Sequence, residues 1–191
     1  IHIHAFRHDG AFLPVADKAL KIEFIGDSIT SGEGLIGAKQ EVDWIPMFFS
    51  AVKSYAYQTA RILDAEYRVY SQSGWGVHNT WDNNPGGALP KYYRQICGVM
   101  PGPENERLGG NQQHEFEDWQ PDFVIVNLGT NDAASFDQPE WVDEKTGARH
   151  KMRRNPDGSC HMDDVRVFQQ AVKDFLVLIR ACNPRARIVW C

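Results

Sequence analysis

Three times in this chain a short apolar run breaks off into small and polar residues. Ile22-Glu23-Phe24-Ile25 ends in Gly26-Asp27-Ser28, Tyr67-Arg68-Val69-Tyr70 in Ser71-Gln72-Ser73-Gly74-Trp75-Gly76, and Phe123 to Leu128 in Gly129-Thr130-Asn131-Asp132. Their length and their β-branched and aromatic content predict strands, and FVIVNL is the clearest buried one. A fourth run, Ala186 to Trp190, reads the same way. Helical patterns lie between them. Residues 54–65 place Tyr55, Thr59, Ile62 and Leu63 at helical spacing behind Ser54 as N-cap. Residues 162–181 align Val165, Phe168, Val172, Phe175, Leu176 and Ile179 in one stripe, with Asp163 or Asp164 as cap and Asn183-Pro184 as stop. Strands alternating with helices predict a parallel sheet covered on both faces. In such a sheet the three polar turns share the C-terminal edge, where open α/β sheets bind their ligands.

The remaining segments say less. At 191 residues the chain is long enough for one well-cored domain. A net charge of −5 without a basic run gives no footprint for nucleic acid. No apolar segment approaches the roughly 20 residues of a membrane span. Cys97, Cys160, Cys182 and Cys191 form no CxxC pair, so no zinc site is expected; Cys97 and Cys160 fall in loops, where pairing in an oxidising compartment stays open. His2, His4 and His8 alternate with apolar residues and read as the wet face of an edge strand rather than as metal ligands. Residues 35–53 form a loop whose Trp44, Pro46, Met47, Phe48 and Phe49 suggest local core before a sugar platform. A weak helix is expected over 86–96, and 137–162 is a long polar insertion of the functional or disordered kind. The chain starts at Ile1 and stops in a strand without a following turn, so both ends are expected to be cuts in a longer protein.

The three turns together suit acyl transfer. Ser28 supplies a hydroxyl to attack a carbonyl. Its own N–H, a glycine N–H from the second turn and the Asn131 amide are the donors such a reaction needs for its oxyanion. Asp27 is expected to order its turn or cap a helix, and Asp132 to cap or hydrogen-bond within its own loop. Trp75 and Trp81 flank the second turn, where stacking on a sugar and packing in the core are equally open. His78 is placed near the Ser28 site as a substrate-side or structural group.

KIEFIGDSITSGEG, SQSGWGV and NLGTND resemble the first three sequence blocks of the SGNH (GDSL) hydrolase superfamily. The resemblance implies a flavodoxin-like three-layer α/β/α sandwich with a parallel sheet, incomplete at the C-terminus. It carries the nucleophile onto Ser28, the oxyanion glycine onto Gly76, with Gly74 open because the local alignment can slip, and the oxyanion asparagine onto Asn131. KIEFIGDSIT, the Ser73 to Val77 form of the second block and the lead-in HAFRHDGAFLPVADK are similar to the family-two carbohydrate esterases. That likeness implies residues 1–20 as the end of an upstream β-sandwich domain with its linker, and 21–191 as the hydrolase domain. It also implies removal of acetyl groups from polysaccharides such as xylan or glucomannan, an extracellular or cell-surface setting, and neither cofactor nor metal. A non-catalytic carbohydrate-binding module on the same fold, or an esterase or lipase of other short esters, is the alternative. One part departs from the family pattern: its histidine belongs to a late DxxH block, and none lies in residues 1–191. Asp157 and His161 have the wrong spacing and precede the last helix. The histidine is therefore expected in a further C-terminal segment, with His78 as the local substitute.

Overall fold

The computed structural model describes residues 5–38, 43–100 and 102–191. Four parallel strands form the central sheet: β1 (Lys21–Gly26), β2 (Glu66–Ser71), β3 (Phe123–Asn127) and β6 (Arg187–Trp190), in the order β2-β1-β3-β6. The helices between them are α1 (Ser28–Ser31), α2 (Tyr55–Ile62), α3 (Pro103–Arg107), α4 (Thr130–Ser135) and α5 (Met162–Cys182). Two short strands, β4 (Trp141–Val142) and β5 (Arg149–His150), pair as a hairpin within the polar insertion.

The two faces of the sheet follow from the period of two along each strand. Ile22 and Phe24 of β1 pack with Ala56, Ala60 and Ala65 on one face, where the small side chains of α2 let helix and sheet approach closely. Ile25, Val124 and Val126 pack on the other face with Phe175 and Ile179 of α5, together with Leu89 and Tyr93. Burial on both faces explains why β1 and β3 read as nearly continuous apolar runs. The result is the expected three-layer α/β/α arrangement. The edge strand β2 is different: Tyr67, Arg68 and Val69 are exposed.

Register brings the functional turns together. Gly26 at the end of β1 pairs with Ser71 of β2 on one side and with Asn127 of β3 on the other. The three strands thus stop in one row, and the segments that follow leave the sheet at one level.

Several expectations need correction. Residues 1–4 lie outside the described residues, and 5–8, expected to finish a strand, join no ladder; most of 5–20 is exposed irregular chain. The α5 N-cap is His161, not Asp163 or Asp164, because Asp164 accepts from the Arg153 guanidinium at 2.7 Å and from the Arg153 N–H at 2.7 Å. Residues 86–96 hold two single 3₁₀ turns, Pro85–Gly87 and Leu89–Lys91, and no α-helix; Pro90 lacks the N–H that a continuing helix would need. Over 137–162 the chain is fastened in place. Buried Asn83 accepts from the Met152 N–H at 2.8 Å and donates to the carbonyls of Ser135 and Pro139, both at 2.9 Å. Arg154 grips Asp137 through two bonds, one of 2.6 Å. The four cysteines are free thiols, so Cys97 and Cys160 do not pair.

One core carboxyl gives a stability prediction. Glu23 points from β1 into the α5 side of the sheet, 8% exposed, and accepts from the Tyr93 hydroxyl at 2.6 Å. Burial raises its pKa from 4.5 to about 7, against the opposing pull of that hydrogen bond and of Arg68. A raised carboxyl favours folding when protonated, so its contribution is complete below the unfolded pKa of 4.5 and disappears as pH rises through about 7. The gap corresponds to about 3 kcal/mol. The unfolding free energy of the native protein minus that of Glu23→Gln should therefore fall by up to about 3 kcal/mol between pH 4.5 and 8. Denaturant titrations across that range check it, and a flat difference would refute the assignment.

Candidate active site

Ser28 is the first residue of α1, directly past the end of β1. The single turn of α1 is too short to hold itself, and its bonds come from around it. The buried Asp27 is the N-cap and accepts the Ile29 N–H at 3.0 Å. The Ser31 hydroxyl meets that of Ser71 at 2.8 Å, and the Thr30 hydroxyl meets that of Tyr55 at 2.9 Å. Asp27 thus does what its sequence position suggests. Burial raises its pKa, the Ile29 N–H works against that rise, and the nearby charges of Asp132 and Glu33 add to it. Ser28 itself stays partly exposed. It lines a hollow of about 250 Å³ with Ile29, Glu33, Gly34, Asp43, Ile45 and Phe48. Phe48, placed by sequence in a local core, stands instead in the wall beside the serine.

The second turn follows β2 directly. The Gln72 N–H donates to the Gly26 carbonyl at 3.1 Å, and the Trp75 N–H donates back to Gln72 at 3.3 Å. Gly74 sits between them at φ +78°, a left-handed conformation that side-chain-bearing residues rarely adopt. Gly76 is buried for another reason. A Cβ there would run into the Asp132 carboxylate and the Asn79 carbonyl. Gly76 also bridges to Ala88, accepting the Leu89 N–H at 2.9 Å. Trp75 packs on Tyr92 with ring centroids 5.0 Å apart, whereas Trp81 is 47% exposed and lies against Gly74. The two tryptophans therefore divide: Trp75 belongs to the packing and Trp81 offers a free face.

The third turn is the start of α4. Asn131 is 9% exposed, and its amide nitrogen donates to the Trp75 carbonyl at 2.9 Å and to Asp27 at 3.3 Å. One side chain from the third block thus holds both of the others. Asp132, 1% exposed, does not stay within its own loop as expected. Its carboxylate reaches back to the second turn and accepts the N–H groups of Val77 and His78, both at 2.8 Å, and of Asn79 at 3.3 Å. Burial raises its pKa, and these three donors oppose the rise. No local signal in the sequence distinguishes a capping aspartate from one that anchors a segment some 54 residues earlier.

His78 stands elsewhere. It lines a separate hollow of about 300 Å³ with Asn79, Arg149, His150, Arg153 and Asp164, among others, and that hollow shares no residue with the one at Ser28. Burial lowers its pKa, with partial compensation by the Asp132 charge. Among the described residues no histidine lines the Ser28 hollow, and no group of three or more His, Cys, Asp or Glu side chains is arranged to hold a metal ion.

Comparison with known proteins agrees with this arrangement. Over residues 24–191 the chain matches the GDSL-like Lipase/Acylhydrolase family. It is 34% identical over 137 residues to the Cellulase/esterase CelE of Acetivibrio thermocellus, covering 71% of this chain and 16% of that protein. Among solved structures it is similar to the acetyl xylan esterase Est2A from the rumen bacterium Butyrivibrio proteoclasticus, with a TM-score of 0.90 and 49% identity over 96% of this chain and 50% of that one. It is also similar to a family two carbohydrate esterase from Clostridium thermocellum in complex with cellohexaose, with a TM-score of 0.67 and 27% identity over 94% of this chain and 45% of that one. The chain thus spans half or less of the length of these relatives. With a serine, a glycine turn and an asparagine at the ends of three adjacent parallel strands, the chain belongs to the GDSL-like lipase/acylhydrolase family.

Proposed function

We propose that this domain carries the nucleophile and the oxyanion donors of a serine esterase that removes O-acetyl groups from hemicellulose, xylan being the favoured class. The observation that carries the reading is the Asn131 amide, which ties the Ser28 turn and the glycine turn into one cluster. The Ser28 oxygen attacks the acetyl carbonyl while a base accepts its proton. The oxyanion accepts from the Ser28 N–H, from a glycine N–H of the second turn and from Asn131. Of the two glycines, Gly74 suits the role better, since it is partly exposed at a left-handed position while Gly76 is enclosed by Asp132 and bridged to Ala88. Of the two Asn131 bonds, the 3.3 Å one to Asp27 is the weaker and the one an oxyanion would replace. Collapse of the intermediate expels the sugar hydroxyl, which takes the proton back from the base. Water then hydrolyses the acyl-serine and releases acetate.

The base is a histidine supplied by a C-terminal segment of the full-length protein, since His78 opens onto a different hollow. The modest hollow at Ser28, with apolar Ile29, Ile45 and Phe48 beside Glu33 and Asp43, suits a short acyl group on a hydroxylated ring better than a long alkyl chain. The named activities of the relatives support an extracellular polysaccharide setting. Among the described residues no helix is long and apolar enough to cross a membrane. Incubation of the full-length protein with acetylated xylan, with acetate measured, tests the proposal directly. Release of acetate, together with labelling of Ser28 by an aryl phosphonate, is the expected result. Sugar binding without turnover of any ester would overturn it in favour of a non-catalytic binding module.

A further inference from the structure

The position of Asp132 assigns it a task beyond closing its own helix turn. We propose that Asp132 is the positioning residue of the oxyanion hole: its carboxylate fixes the backbone of the glycine turn so that the turn's N–H faces the reacting carbonyl.

The geometry supports this in three ways. First, the carboxylate takes three consecutive N–H groups, those of Val77, His78 and Asn79, and so sets the direction of the chain immediately after the glycines. Three donors converging on one ion are charge-assisted bonds, stronger than neutral ones. Second, the fit leaves no slack. The Asp132 carboxylate occupies the space a Cβ on Gly76 would need, so the Gly76 backbone lies flat against it. Third, Asn131 and Asp132 are adjacent at the start of α4 and act in opposite senses on the same turn. Asn131 donates to the Trp75 carbonyl and Asp132 accepts from residues 77–79. The start of one helix thus grips the turn on both sides of Gly76, directly after Gly74. Fixed donors stabilise an oxyanion because they need no reorganisation during the reaction. A misplacement of about 1 Å suffices to lose a rate factor of about 100.

The inference rests on the esterase reading above, and its test separates the two. In the full-length protein, Asp132→Asn keeps the side-chain volume but turns an NH₂ group toward backbone N–H donors. The expected result is a kcat on an aryl acetate lowered about 100-fold with KM changed less than about threefold, because only the transition state uses the turn. A folded Asp132→Asn variant with kcat within about twofold of the native value would overturn the assignment. If that variant does not fold, the native protein decides. The crystal structure of its Ser28 phosphonate adduct should show a glycine N–H of the second turn on the phosphonyl oxygen with the three Asp132 bonds intact. An adduct held only by Ser28 and Asn131 would overturn the role of Asp132 alone, whereas failure of Ser28 to form any adduct would overturn the esterase reading beneath it.

Discussion

Ser28→Ala in the full-length protein should lower kcat for acetyl-ester hydrolysis by about 10⁶-fold, with the fold intact. The size follows from the role. Without the hydroxyl no acyl-enzyme forms, and what remains is water attack assisted by the oxyanion donors alone. The fold should survive because α1 is held by other groups: the Asp27 cap on Ile29, the Ser31–Ser71 pair and the Thr30–Tyr55 pair. Ser28 is partly exposed, so removing its hydroxyl opens no buried void. Its effect on unfolding should stay within about 0.5 kcal/mol. Acetate release from acetylated xylan and the thermal midpoint, measured on the same preparation, separate lost chemistry from lost structure. Activity within tenfold of native in a folded Ser28→Ala protein would remove Ser28 from the mechanism, and with it the main support for the esterase proposal.

How much of this could be read from the residues alone depended on whether the cause was local. The strands at β1 and β3 were legible because burial on both faces demands an apolar run, and Ile22 to Ile25 and Phe123 to Leu128 supply it. Helix α5 was legible because Phe175 and Ile179 stand one turn apart on its core side. Its cap was not, because Asp164 answers to Arg153, eleven residues away and brought close by the chain reversal before α5. The site shows the same division. The chemistry proposed for Ser28 and Asn131 follows from their type and their place at a strand end. The roles of Asp132 and Gly76 exist only once the second and third turns meet, because each is defined by the other's backbone or carboxylate. Trp75 and Trp81 were equal by sequence, and packing on Tyr92 separates them. His78 looked close to the serine by its distance from Gly76 in the chain, yet the hairpin that bridges Trp75 to Thr80 carries it to another hollow.

Asn131 should show the second large effect, and two substitutions divide its roles. Asn131→Ala removes a donor to the oxyanion and should lower kcat about 10²- to 10³-fold. It also leaves the Trp75 carbonyl without its side-chain donor, at a stability cost of about 1–3 kcal/mol. Asn131→Asp has nearly the same shape but the opposite electrostatics. It would place a carboxylate against the Trp75 carbonyl, 3.3 Å from the fully buried Asp27 and next in sequence to Asp132. A third acid in that enclosure should destabilise the domain at neutral pH by more than the alanine variant does, by about 3–5 kcal/mol. Burial and like charges raise the pKa of the introduced acid above its unfolded value. Its penalty should therefore shrink as pH falls toward about 4 and grow as pH rises through the folded pKa. Unfolding of both variants between pH 4 and 8 measures this, alongside kcat at neutral pH. If Asn131→Asp is as stable as Asn131→Ala at pH 7, the site is wetter than its burial indicates. If Asn131→Ala keeps kcat within threefold of native, the amide only fastens the turns, and the oxyanion is held by the backbone donors alone.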